Sequence, residues 1–145
     1  MHFGALGEAF SIDWRDRTAG KSWWPEEVTP SADVDALGVA PLDVLVAHEA
    51  PAGVPLEGFR LPAEDQVRTD EVRRFVRAAT EATQPKFVLH GHWHRRNSYE
   101  LAWPVEHDGG LAWRSAQVEG FAADVQGDFQ AWGVLDLEPL VALLH

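Results

Sequence analysis

Two short apolar runs, each ending in histidine, constrain this chain most. The first, Leu42-Asp43-Val44-Leu45-Val46-Ala47, runs into His48-Glu49-Ala50-Pro51. The second, Lys86-Phe87-Val88-Leu89-His90, runs into Gly91-His92-Trp93-His94. Short runs this rich in apolar residues read as strands buried on both faces, as in a parallel sheet. Between them the sequence predicts a helix over Asp70–Ala82. Val72, Phe75, Val76 and Ala79 recur at helical spacing there, and Arg73, Arg74 and Arg77 fall mostly on the other side. Thr69 is the expected cap and Pro85 the stop. The stretch 51–64, rich in proline and glycine, is a loop. If strand, helix and strand form parallel neighbours, both carboxyl ends lie on one edge, where open α/β sheets collect ligands. Three imidazoles then converge on that edge.

The flanks fit the same class. Phe3–Ile12 reads as a glycine-interrupted strand, and Asp13–Glu27 as a polar, aromatic loop. Pro30–Leu37 reads as a short helix, with Thr29 as cap, Pro30 in the first position and Gly38 at the exit. Ser98–Val105, Leu111–Gln117 and Trp132–Leu137 alternate like antiparallel strands. His107-Asp108-Gly109-Gly110 is a hairpin turn between the first two. A short apolar segment, Leu140–Leu144, closes the chain. The expected fold is α/β, a mixed layered β-sheet sandwich flanked by helices. Residues 1–145 read as a single domain.

Charge narrows the function classes. Twelve Lys and Arg against 23 Asp and Glu leave a net charge of -11, and only two of the cations, Lys21 and Lys86, are lysines. Binding to nucleic acid or an anionic membrane by charge is disfavoured. The chain has no cysteine, which removes disulfides, thiolate metal sites and cysteine nucleophiles. No apolar run reaches membrane-helix length, and the start lacks the marks of a signal peptide. A cytoplasmic location is expected.

Imidazole is a good ligand for divalent first-row metals. His92 and His94, two residues apart on an extended segment, would point to one side, and Gly91 would permit a tight turn before them. An isolated histidine is usually an ordinary polar residue. A His-x-His with a third histidine at an equivalent strand end is read here as a metal site. His90, inside the strand, is expected to be a hydrogen-bonded core residue or to support the ligands from behind. Arg95 and Arg96 are candidate phosphate contacts; Asp13, Arg15 and Arg17 reach toward phosphate or are solvated loop charges. Trp93 is expected to pack and to shield the site. Trp23 and Trp24 belong to the loop; both cannot face the core of a regular strand, so one lines a groove or packs over the loop, with core packing the favoured reading. His2, His107 and His145 read as surface residues.

The lone His48 after its strand and Gly91-His92-Trp93-His94 resemble the last two motifs of the calcineurin-like metallophosphoesterases. Leu6–Asp13, Arg17 and Gly20–Glu27, with Gly20-Lys21-Ser22-Trp23-Trp24-Pro25 at their centre, resemble the central segment of a phage and bacterial branch of that family. The resemblance implies the C-terminal half of an αββα fold and metal-dependent hydrolysis of a phosphomonoester or phosphodiester. It implies two divalent ions drawn from Mn, Fe and Zn, with His48 and His92 on one and His94 on the other.

The family's earlier motifs are missing. No Asp-x-His occurs; the only asparagine is Asn97, so there is no Gly-Asn-His; and Gly127-Asp128 lies after Gly-His-x-His, in the wrong order. All three would precede Met1, so the domain is expected to be incomplete. Three neutral imidazoles do not offset the charge of two divalent ions, which leaves a single or weakly bound ion on His48 and His92, with water or Glu49. Whether the isolated chain is an enzyme is therefore open between two classes. One is a phosphoesterase domain, whole only as a fragment or split half beside a complementing chain. The other is a non-catalytic interaction module. Exposed sheet edges favour a complementing chain or a homodimer.

Overall fold

The computed structural model describes residues 1–7, 9–25 and 31–123. Its fold is α/β, with one five-stranded mixed sheet and two helices among these residues. The order is β1 (Phe3–Leu6), α1 (Ser31–Leu37), β2 (Val44–Ala47), α2 (Ala63–Thr83), β3 (Phe87–His90), β4 (Asn97–His107) and β5 (Gly110–Gly120), with a single 3-10 turn at Trp14–Asp16. Across the sheet the strands run β1-β2-β3-β5-β4. All neighbours are parallel except the β4–β5 hairpin.

The register explains the core. Leu45, Val88 and Val118 stand side by side on β2, β3 and β5. They form one buried cluster with Val76 and Ala79 of α2 and with Leu101 and Trp103 of β4. The apolar alternation of β3 and the helical spacing on α2 therefore meet face to face. The opposite face is less covered. Ala5, Val46 and Leu89 share the next row, and Val46 is 44% and Phe3 57% exposed. The reading of β2 as buried on both faces holds for Val44 and not for Val46.

Several elements differ from the sequence expectation. The first strand ends at Leu6 rather than Ile12. Beyond it the chain leaves the sheet but stays inside, with Ala9 and Phe10 buried. Helix α2 starts at Ala63, after Pro62, and Thr69 is a fully buried interior residue, not a cap. The extra turns are held from outside. Asp65 takes an ion pair from Arg15 at 2.5 Å and a hydrogen bond from the Trp14 indole at 3.3 Å. The Arg68 guanidinium lies over the rings of Phe10 and Trp14. Arg15 holds the Asp65 carboxyl below the usual carboxylate range. Glu64 and Asp65 also suit the positive end of the helix.

Other expectations match. Gly38 leaves α1 with a positive φ of 76°. Gln84 closes α2 in the left-handed conformation, donating to the Thr80 carbonyl just before Pro85. The hairpin turns on Asp108 and Gly109, both at positive φ, as a two-residue connection requires. Its strands are longer than the sequence suggested. Gly4 has a packing role: a Cβ there would stand 2.5 Å from Leu42 and 2.9 Å from Leu37. The expected strand Trp132–Leu137, the segment Leu140–Leu144, Gly127-Asp128, His145 and the cap Thr29 with Pro30 lie outside the described residues. No helix among the described residues is long and apolar enough to cross a membrane.

Candidate functional site

Parallel pairing of β2 and β3 sets Ala47 opposite His90, so the next residues, His48 and Gly91, leave the sheet together. The Gly91 amide donates to the His48 carbonyl at 3.2 Å, and the His48 amide to the Leu6 carbonyl at 3.1 Å. The carboxyl ends of β1, β2 and β3 are thereby tied at one edge. There the His48 and His92 rings meet edge to face, with centroids 5.1 Å apart.

His94 departs from the expectation. The segment after Gly91 is not extended. The Trp93 amide donates to the Gly91 carbonyl at 2.7 Å, and His92 and His94 take left-handed φ values of 63° and 53°. The turn assigned to Gly91 is made by the two histidines, so a two-residue period no longer applies. His92 is turned inward beside His48, whereas His94 is exposed. A left-handed conformation at a non-glycine residue costs on the order of 1–3 kcal/mol and concentrates at functional sites.

The interior of the site is polar. Glu49 is fully buried. Its Oε1 accepts from the Trp93 indole and, at 2.7 Å, from the Ala50 amide. Its Oε2 has no hydrogen-bond partner and lies 3.7 Å from His92 Nε2, which has none either. That separation is too long for a hydrogen bond. The Phe10 backbone pulls the pKa of the His92 ring slightly upward, against the larger effects of burial and the neighbouring rings. Burial, followed by the nearby His48 and His94 rings, pushes His92 down to about 4. Burial pushes Glu49 up to about 7, against the pull of the Trp93 and Ala50 donors and of Arg73. Near neutral pH the two do not form an ion pair.

The donor set can be tested against the expected metals. Two imidazoles in contact, one of them neutral near pH 7 with its Nε2 buried and unpartnered, have the chemistry of a histidine metal ligand. Glu49 Oε2 lies 3.7 Å from His92 Nε2. The two imidazoles supply two donors for a single cation. Among the described residues no group of three or more His, Cys, Asp or Glu side chains is gathered to hold a metal ion, so neither a three-ligand site with Glu49 nor a two-ion centre is preformed.

The remaining candidates sort by their contacts. His90 is a core residue, buried with its Nδ1 against the Gly91 carbonyl. Trp93 is buried and packs between His92 and Phe59. Arg96 pairs with Glu119 at 2.8 Å and lies over Phe121. Arg95 lies over Phe59. Arg17 pairs with Asp13 at 2.7 Å. Trp23 stacks obliquely on Trp14, whereas Trp24 is 45% exposed.

Sequence reading missed Arg73. It is buried, and it donates to the carbonyls of Ala50, Pro51 and Val54, which fixes the loop directly after Glu49. The signal was present: 69, 72, 73, 76, 79, 80 and 83 form the buried stripe of α2, and Arg73 lies within it.

No protein-family model matches this chain, and no curated protein matches it.

Proposed function

We propose that this chain is a calcineurin-like metallophosphoesterase domain lacking the N-terminal motifs, and that its activity is metal-dependent hydrolysis of a phosphomonoester or phosphodiester. The sheet and helices then correspond to the C-terminal half of that family's layered sandwich. One observation carries the reading: His48 and His92 converge at the ends of adjacent parallel strands, with the His92 Nε2 buried and unpartnered. His48 and His92 would hold one divalent ion, Mn, Fe or Zn. When bound, such an ion polarises a phosphoryl oxygen and makes water a better nucleophile. The chain's own residues prepare the place. Burial keeps His92 neutral near pH 7, Trp93 shields the pair on one side, and Glu49 supplies negative charge as it ionises. Arg95 is the candidate phosphate contact, since Arg96 is committed to Glu119.

A second reading, a non-catalytic or split module, is favoured by the exposed row at Phe3 and Val46 and by the sheet's outer strands. β4 carries Pro104, which blunts that edge. Among the described residues, β1 is the edge left for a complementing chain or a second copy. His94 then takes a second ion only when the partner brings a bridging carboxylate.

The two readings separate on turnover. With added Mn, the isolated chain is expected to hydrolyse bis(p-nitrophenyl) phosphate, and His92→Ala to lose at least 100-fold of that rate, a scale set by the several kcal/mol a Lewis acid supplies. Absence of turnover in the wild type, with the ion bound, selects the split or non-catalytic module.

A further inference from the structure

Beside the histidine pair the chain forms a half-open pocket that hydrolysis alone does not use. A cavity of about 340 Å³ lies between the loop after β2 and the segment after β3. Leu56 and Phe59 wall one side, and Trp93, Arg95 and Tyr99 the other. Trp93 joins this cavity to the site. It lines the cavity, and its ring packs against Phe59 with centroids 4.7 Å apart and against His92 at 5.2 Å.

Arg95 latches the two walls. Its guanidinium lies 5.1 Å from the Phe59 ring centroid and donates to the Glu57 carbonyl at 3.2 Å. Gly58 makes room for it: the backbone is at φ +81°, and a Cβ there would stand 2.9 Å from Arg95 Nη1. Among the described residues no carboxylate pairs with Arg95. The cavity thus offers three aromatic rings and the Arg95 cation, with Glu57 also on its lining but in no ion pair with Arg95 among the described residues. Flat π-systems stack on such walls with little regard to their substituents, and a guanidinium stacks on them as well. The volume is at the small end for ligand pockets.

We propose that this cavity binds the planar aromatic group of a small phosphoester, so that the substrate is a nucleoside or aryl phosphate rather than a sugar phosphate or a polymer. The placement of the phosphoryl group at His48 and His92 rests on the hydrolytic reading above; the aromatic subsite does not. The net charge of -11 also opposes a long polyanion.

Calorimetric titration of the full chain, stripped of metal by chelator, with AMP, phenyl phosphate and ribose 5-phosphate is the test. At least one aromatic phosphate is expected to bind about tenfold or more tightly than ribose 5-phosphate, the span of one stacking contact. Preference for AMP identifies a nucleoside source, and preference for phenyl phosphate an aryl one. Phe59→Leu should remove most of that margin. Tyr99→Ala, at a part-exposed strand position, should do the same if Phe59→Leu fails to fold. His92→Ala should keep the margin, so failure of the metal reading leaves a separate signature. Equal binding of all three ligands, or a margin that survives both Phe59→Leu and Tyr99→Ala, overturns the proposal.

Discussion

Arg73→Met is expected to cost the fold about 3 kcal/mol or more, because it strands the buried carbonyls of Ala50 and Val54 and takes one of two donors from that of Pro51, which keeps the Val54 amide. The guanidinium donates to Ala50 at 3.3 Å, to Pro51 at 3.2 Å and to Val54. Each buried acceptor left unpaired costs about 1–3 kcal/mol. Methionine fills much of the same volume, so the loss is polar and not a cavity. Domains of this size are stable by only ~5–15 kcal/mol, and the melting point should fall by about ten degrees. Lysine recovers only part of the loss, because one ammonium cannot reproduce the planar fork across three carbonyls. The Ala50–Val54 loop follows directly on His48 and Glu49, so the same substitution should loosen the site. Thermal and urea melts of the two variants check this; a change within about 0.5 kcal/mol, as at a surface position, contradicts it.

Glu49→Gln is expected to stabilise the metal-free chain, increasingly with pH. The folded carboxyl ionises near 7 against 4.5 in an ordinary glutamate. Between those values the folded state binds more protons than the unfolded state, so the Glu49 contribution is full below about pH 4.5 and lost as pH rises through about 7. Glutamine keeps the amide-oxygen acceptor for Trp93 and Ala50 and has no ionisation to oppose. The stability difference, variant minus wild type, should therefore be near zero at pH 4.5, climb to about 3 kcal/mol by pH 7, and stay level above it. His92 contributes in the opposite sense: its folded value near 4 against 6.5 makes it stabilising above about pH 6.5 and destabilising as pH falls through 4. That part is common to both chains and cancels in the difference. Urea melts with chelator from pH 4.5 to 8.5 measure it, and a difference that is flat with pH refutes the burial of an unsatisfied carboxyl. A site residue whose neutralisation stabilises the fold is held there at a cost to stability, as functional groups often are.

The sheet's centre was readable because residue type there matches environment. β2 and β3 are short apolar runs, and Asp108-Gly109 is a hairpin turn by composition. The start of α2 was hidden because its buried face carries Asp65 and Thr69, while the apolar Val67 points outward at 64% exposure. Pro62 followed by Glu64 and Asp65 was the available clue. β1 was drawn too long because Ala9 and Phe10 are apolar for a different reason: they line the inside of a loop.

In the site, the convergence of His48 and His92 followed from strand ends and spacing. The outward position of His94 did not, since left-handed backbone at His92 and His94 is imposed by tertiary contacts and has no residue signature. Glu49 was visible only as a neighbour of His48. Its burial depends on Trp93, which comes from the next strand end and is 44 residues away.

The central claim is that His48 and His92 hold one divalent ion. Elemental analysis after equilibration with Mn or Zn and removal of free metal measures it directly. One ion per wild-type chain, falling close to zero in both His48→Ala and His92→Ala but retained in His94→Ala, is the expected result. A wild-type chain that retains no ion, or a stoichiometry unchanged by His92→Ala, contradicts it.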